Sequence, residues 1–348
     1  MKHEYRLEEL FVEVTNRCLM GCVHCSSCAG PDTKEYIPIG EIKRLIENAM
    51  PLGLKSFTIS GGEPFLYPHL EELASHIVKR GLALNIYSCG IIKDEQTNTY
   101  LSLSLKELGP IAKLNPHKLI FSLHGGRGSH ESITGIHGSF NITVNSIKAA
   151  MSLGIEVEIH FVPMTLNSHA LHDVIKLASD IGVKRVSLLR LVNHGRCLDH
   201  LVLSPEQEDS LYEDAQKFRM QYPVVDVRMG SPYNCITMSG KPCSAGKNKL
   251  LISGTGEVFP CEAFKSLKGQ RPTIYELPLE ELWFNDSLLN QVRDLNLYGA
   301  PSCQSCYHYR QCGGGCHGER MIANERIDVG VDPLCLKLRS VIKERVVI

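Results

Sequence analysis

A chain of 348 residues is long enough for one large domain and a smaller one, because single cores stop growing at roughly 250 to 300 residues. With 37 basic against 38 acidic residues, the net charge of -1 offers no long-range attraction for nucleic acid or anionic lipid. No apolar run approaches the roughly 18 residues that span a bilayer, and Lys2, Glu4, Arg6, Glu8 and Glu9 stand where a signal peptide would need an apolar core, so the expectation is a cytoplasmic protein without a membrane or nucleic-acid partner.

In chain order, short apolar runs at 10–14, 55–59, 82–87, 118–123, 155–161 and 185–189 read as six buried parallel strands, each too short for a helix. Helical spacing appears between them at Ile42, Leu45, Ile46 and Ala49, at Leu70, Leu73 and Ile77, over 147–153, and at Leu171, Val174, Ile175 and Ala178. Gly53, Gly81, Gly154 and Gly182 sit where a helix should stop and the next strand begin. Ser204-Pro205-Glu206-Gln207 is a capping box with proline at the first helical position, so a further helix starts there. Strand and helix in alternation predict an α/β fold, a parallel sheet that lies open or curls into a partial barrel, with the loops after its strands on the active face. After about residue 225 the pattern changes. Residues 249–253 and 257–260 flank Gly254-Thr255-Gly256 and read as a hairpin, a single helix follows over 277–292, and the rest is rich in cysteine and glycine. The division expected is 1–224 and 225–348, the second part held together by metal because it has few residues with which to build a core.

Fourteen cysteines in a chain with no export signal fit metal ligation better than disulfides. They cluster. Cys18, Cys22 and Cys25 follow the first strand in a loop of eight residues, enough to hold a metal cluster but one ligand short of closing it. Gly61-Gly62-Glu63-Pro64 follows the second strand, on the same side of the sheet. The C-x3-C-x2-C spacing, with His24 before the last cysteine, resembles the signature of the radical S-adenosylmethionine (radical SAM) superfamily, and Gly61-Gly62-Glu63-Pro64 resembles its second motif, which cradles the methionine end of the cofactor. By that resemblance Glu63 receives the cofactor's ammonium group. Glycines suit the place because the backbone must approach its ligand closely. The competing reading is a plain turn beside a fragment of a zinc site.

The C-terminal cysteines are similar to the SPASM extension of peptide- and protein-modifying members: Cys243-x12-Gly256-x4-Cys261, then Cys303-x2-Cys306-x5-Cys312-x3-Cys316, then Cys335. The resemblance implies a partial (β/α)6 barrel with a C-terminal iron-sulfur domain. In it Cys303, Cys306, Cys312 and Cys335 hold one auxiliary 4Fe-4S cluster, and Cys243, Cys261 and Cys316 hold a second, completed by Cys235 as in relatives with an upstream cysteine; without Cys235 that cluster would have an open iron. A zinc ribbon over 303–316 is the alternative. The resemblance also implies that S-adenosylmethionine is cleaved to a 5′-deoxyadenosyl radical, with an electron from a flavodoxin or ferredoxin. Tyr87, Ser88 and Ser122 end strands where relatives contact the cofactor. His124 stands where many have aspartate, and Thr134 where some have an arginine that binds the carboxylate. Arg190 and Arg196 border the last strand and are candidates for the missing charge.

Cys28, Cys89 and Cys197 remain. Cys89 follows the third strand and is the catalytic candidate, a thiol able to return a hydrogen atom to a substrate radical; the alternative is a packed thiol. His308 and His317 lie among the cluster ligands, in reach of sulfur. Many peptide-modifying relatives begin with a domain that grips a leader peptide. Here the first strand starts near residue 10, so a separate leader-binding protein, or the barrel itself, is expected to do this. The function expected is modification of a ribosomally made peptide or protein side chain, by crosslinking, epimerisation or oxidation. The alternatives are radical oxidation or epimerisation of a small sugar or aminocyclitol, and a non-enzymatic metal scaffold, against which the intact 61–64 loop argues.

Overall fold

The computed structural model describes residues 5–336 and Leu338. Its strands are β1 (Glu9–Thr15), β2 (Ser56–Gly61), β3 (Ala83–Ser88), β4 (Ile91–Lys93), β5 (Tyr100–Ser102), β6 (Lys118–Ser122), β7 (Val157–Phe161), β8 (Arg185–Leu188), β9 (Asp226–Met229), β10 (Lys249–Ile252) and β11 (Val258–Phe259). Nine of them form one sheet in the order β11-β10-β1-β2-β3-β6-β7-β8-β9, parallel throughout except for β11. Helices α1 (Ile39–Ala49), α2 (Leu70–Lys79), α3 (Leu105–Lys113), α4 (Arg127–Thr134), α5 (Ser139–Ser152), α6 (Leu171–Ile181) and α7 (Pro205–Gln221) occupy the crossovers. This is the open, partial (β/α)6 barrel expected.

Alternate strand residues such as Val12, Ile59, Ile86, Phe121 and Ile159 are buried against the helices and make the main core. The opposite face is polar. Glu158 on β7 takes hydrogen bonds from Lys118 (2.9 Å) and Ser187 (2.6 Å) and meets His160 Nε2 at 2.9 Å. Burial opposes ionisation of Glu158, yet these partners hold its carboxyl below the usual range. A buried network of this kind is stable only because its donors are in place.

Helices α3 and α4 were not expected from the sequence, and four further features depart from its reading. Strand β9 adds a seventh parallel strand beside β8, and the sheet therefore continues past residue 225. The 249–260 hairpin is present but does not stand alone: β10 pairs in parallel with β1, Leu10 opposite Leu250 and Val12 opposite Ile252. The helix expected over 277–292 breaks at Asp286, whose carboxylate accepts the Leu289 N–H (2.9 Å) and starts a second helix. A small hairpin, β4 with β5, packs beside α5. The capping box at Ser204 forms as expected, and a second one closes on Ser104 and Glu107. Among the described residues no helix is long and apolar enough to cross a membrane.

Candidate functional site

Cys18, Cys22 and Cys25 gather in one apolar patch with Met20, Ala29, Cys89, Ile91 and Ile136. Their loop leaves β1 and is tied back by Cys18 N–H to Gly30 C=O (3.0 Å) and Gly30 N–H to Asn16 C=O (3.2 Å). Arg196, from the segment after β8, braces it from the far side: Nε donates to the Cys22 carbonyl at 2.9 Å and its N–H to the Cys25 carbonyl at 3.1 Å. Burial, then the charges of Cys18 and Cys25, push the Cys22 thiol up; burial does the same to Cys25. A hydrogen bond from Cys89 pulls Cys18 down. Burial leaves the Cys22 and Cys25 thiolates short of a compensating charge. A soft, positively charged metal group would supply that charge, so the three side chains fit one in kind.

The Gly61-Gly62-Glu63-Pro64 loop lies directly on this one. Gly62 N–H donates to the Thr15 carbonyl (2.6 Å) and Glu63 N–H to the Arg17 carbonyl (2.8 Å). A Cβ on Gly61, at φ 131°, would collide with the Thr15 carbonyl oxygen, and one on Gly62 with that of Arg17. Close approach does explain the glycines, but what approaches is the cysteine loop itself. Glu63 is fully buried and already well supplied: its carboxylate accepts from Phe65 N–H (3.0 Å), Ser88 Oγ (2.9 Å) and Cys89 N–H (2.7 Å). Pro64 opens a short helical turn, where its lack of an N–H costs nothing. One carboxylate thus joins the end of β3 to the loop after β2, and through it to the first cysteines.

Three histidines that the sequence reading left apart meet here. His24 lies edge-on to His124 with ring centres 4.5 Å apart, and His124 stacks on His130 at 5.8 Å. Burial lowers all three, His24 and His130 to about 4, so they are neutral rings. Nδ1 of His24 and of His124 and Nε2 of His130 have no hydrogen-bond partner. Ser122 stands in register with His160 and Ser187 on the polar face, and the Tyr87 ring packs edge-on between Phe11 (5.3 Å) and His160 (5.1 Å). The two arginine candidates are occupied. Arg190 is spent on Asp332, at 2.8 and 2.9 Å, and on the Pro232 carbonyl, while Arg196 is the brace already described. Thr134 bonds Ser139 (2.8 Å).

The C-terminal cysteines fall into two groups. Cys303, Cys306, Cys312 and Cys335 line one small cavity with Asp332 and Tyr309, and Cys235 lines it too. Cys235 was expected beside Cys243 and Cys261. Instead it follows β9 on a helix packed against 309–312, and its thiol hydrogen-bonds Cys312, which lowers Cys312 to about 6. The reason is topological: β9 ends at the β8 edge of the sheet, while β10, which follows Cys243, lies on the opposite side of β1. Cys243, Cys261 and Cys316 make the other group; burial and then Cys243 push Cys261 up to about 12, and Cys316 feels Cys261 in turn. Three successive glycines, Gly313 to Gly315, all with φ between 62° and 81°, turn the chain from one group to the other, a path open to no other residue without strain. Asp332 ties them, accepting the Cys316 N–H at 2.6 Å. His317 bonds Asn296 (3.0 Å) rather than sulfur; Arg320, fully buried and absent from the sequence reading, donates to Cys303 Sγ at 3.2 Å. Cys28 is exposed, and Cys197 is a packed thiol raised by burial to about 11.

Residues 12–187 match the model of the radical SAM superfamily. The chain is 25% identical over 339 residues to the PqqA peptide cyclase of Gluconobacter oxydans, covering 94% of this chain and 89% of that protein. It is 24% identical over 347 residues to the mycofactocin maturase MftC of Mycobacterium tuberculosis, covering 94% and 82%. Its fold is similar to that of Streptococcus suis SuiB, solved bound to the precursor peptide SuiA, with a TM-score of 0.75 at 18% identity over 96% of this chain and 77% of that one.

Proposed function

Because this chain belongs to the radical SAM superfamily, we propose that it is an enzyme that modifies a side chain of a ribosomally made peptide or protein, by crosslinking, epimerisation or oxidation. The observation that carries the reading is the seating of the 61–64 loop on the Cys18 to Cys25 loop by backbone hydrogen bonds, which brings a three-sulfur site and a cofactor shelf together. The peptide substrate is supported by the relatives, a peptide cyclase and a maturase that align over nearly the whole chain.

Cys18, Cys22 and Cys25 hold a 4Fe-4S cluster with one iron left for S-adenosylmethionine, and that pair, when bound, supplies a radical that abstracts hydrogen. Gly61, Gly62, Glu63 and Pro64 position the methionine end, and His24, Tyr87 and Ser122 border the rest of the cofactor. His24 is suited to this because burial keeps its ring uncharged, leaving a flat neutral surface with a spare nitrogen. The apolar patch around Cys18 excludes water. In residues 225–348, Cys303, Cys306, Cys312 and Cys335 hold one auxiliary cluster and Cys243, Cys261 and Cys316 a second. A flavodoxin or ferredoxin supplies the electron.

Anaerobically reconstituted protein given dithionite and S-adenosylmethionine is expected to release 5′-deoxyadenosine, and the C18A/C22A/C25A variant is not. Equal release from both overturns the radical reading. For the substrate, precursor peptides are expected to raise 5′-deoxyadenosine release above the substrate-free rate; a sugar or aminocyclitol that does so when no peptide does overturns the peptide assignment.

A further inference from the structure

Glu13, on β1, is 3% exposed, and donors from three separate segments meet on its carboxylate. Lys265 Nζ donates to Oε1 at 2.7 Å and to Oε2 at 2.9 Å, the Ser27 hydroxyl donates to Oε1, and the Gly254 N–H donates to Oε2 at 3.3 Å. Lys265 Nζ also donates to the Ser27 hydroxyl at 2.9 Å, so the side chains of Glu13, Ser27 and Lys265 close a ring. Ser27 belongs to the first cysteine loop, two residues after Cys25. Gly254 and Lys265 belong to the C-terminal region, where Lys265 lies on a short helical turn, Glu262–Ser266, that begins directly after Cys261.

That turn is firmly seated. Phe264 is fully buried in a cluster with Phe11 and Met321, and a Cβ on Gly318 would lie 2.3 Å from the Cβ of Ala263. Met321 and Gly318 stand on the helix His317–Asn324, which begins directly after Cys316. Cys261 and Cys316 therefore stand at the starts of two elements that pack on each other, and one of the two carries Lys265. The segment before Ser27 is held from its other side: Arg196 N–H donates to the Cys25 carbonyl at 3.1 Å, and Gly195 has no room for a side chain against the Cys25 and Ser26 carbonyls. Burial decides what the ring can do. The Lys265 side chain is 8% exposed, and its three protons face Glu13, Ser27 and, at 3.5 Å, Glu262, which leaves none for a substrate. A buried ion pair adds little net stability, because desolvation offsets the attraction, but it holds its two segments where the charges meet.

We propose that Glu13 and Lys265 are positioning residues that make the first cysteine loop depend on the C-terminal region. The group held by Cys243, Cys261 and Cys316 seats the 262–266 turn, and the turn, through Lys265, Glu13 and Ser27, holds the arm of the loop that carries Cys25. The inference rests on the proposed reading of those three cysteines as ligands of one auxiliary cluster. It gives assembly an order, in which the loop around Cys25 settles only after the C-terminal group has formed.

The test is hydrogen exchange, read by mass spectrometry over 18–30 and 262–266 with β2 and β3 as an internal reference. The proteins are anaerobically reconstituted wild type, E13Q/K265M, S27A, the C243A/C261A/C316A variant, and the last combined with E13Q/K265M. E13Q/K265M removes both charges and so strands neither, while S27A spares the ion pair and cuts only the arm to the loop. Exchange over 18–30 is expected to run about tenfold faster in E13Q/K265M and in the triple cysteine variant, and no faster in their combination, because both cut one path. S27A is expected to shift 18–30 in the same direction and to leave 262–266 as in the wild type. Wild-type exchange over 18–30 in both E13Q/K265M and S27A overturns the proposal. So does a triple cysteine variant in which 262–266 loosens and 18–30 does not, and so do additive effects in the combination, which place the loop's dependence on another path. A triple cysteine variant with wild-type exchange over 262–266 fails differently: it removes the auxiliary-cluster reading beneath the proposal, and E13Q/K265M with S27A then judges the link alone.

Discussion

The loop carrying Cys18, Cys22 and Cys25 hangs from two adjacent strands of a nine-stranded sheet, whereas the stretch from 301 to 335 has no strand and only helices of four to eight residues. Around the first, the fold does the positioning: backbone hydrogen bonds to Gly30, Gly62 and Glu63, the Arg196 brace, and a core of fully buried aliphatics below. Around the second, the chain wraps its cysteines, and the apolar support is smaller: Met321 and Ile327 join a cluster with Phe11 and Phe264, beside three left-handed glycines and the buried Asp332 and Arg320. A metal group in the first place would therefore enter a site that the fold already shapes. In the second, the auxiliary clusters proposed above would contribute to folding, as in small metal-stapled domains.

Removing all metal is the largest disturbance that separates the two. Chelated protein is expected to lose hydrogen-exchange protection over 301–335 while β1, β2 and β3 keep theirs; equal protection in both states, read by mass spectrometry, would break the comparison. Next is G62A. Its Cβ meets a backbone carbonyl that cannot turn aside, at a cost of roughly 1 to 3 kcal/mol. Iron is expected to fall at the first cluster and not at the auxiliary ones, read by iron content with electron paramagnetic resonance; wild-type loading of the first site would show that its loop does not depend on the 61–64 seat. R196A removes one charged hydrogen bond to the Cys22 carbonyl, about 1.5 kcal/mol, so slower cluster loading with unchanged fold, by circular dichroism, is the expected result.

The smallest expected effect concerns the joint between the regions. Glu208 on α7 is 6% exposed, one of its oxygens has no partner, and burial raises it to about 7. An acid raised in the folded state contributes stability below its unfolded pKa that is lost as pH rises through the folded value. Thermal stability of the loaded protein should therefore fall from pH 5 to pH 8, and E208Q should flatten that slope; an unaltered slope would place the pH dependence elsewhere.

The six barrel strands were legible because each carries a short run rich in apolar residues on the face turned to the helices, although β3 alternates buried and half-buried positions and β7 sets Glu158 and His160 on the polar face. Strand β9 was not: Asp-Val-Arg-Met alternates exposed and buried at the sheet's edge, so too little apolar pattern survives to mark it. The hairpin at 249–260 was visible from its glycines, but its pairing with β1 joins residues about 240 apart and leaves no local trace. Two helix starts went unread although their signals were present, Ser104 with Glu107, and Asp286. In the site, the cysteine groups and the 61–64 loop were legible from spacing. The histidine stack was not, since His24, His124 and His130 come from three separate elements. Cys235 misled because nearness in sequence to Cys243 says nothing about which edge of a sheet each occupies.

The pairing of β1 with β10 also decides how this protein can be taken apart. Cutting the chain after α7 would strip a hydrogen-bonded neighbour from β1 and leave its outward N–H and C=O groups bare along a flat, apolar border. Such a fragment would seek a replacement strand from another copy of itself, and its failure to remain monomeric would say nothing about whether the barrel can bind its cofactor alone.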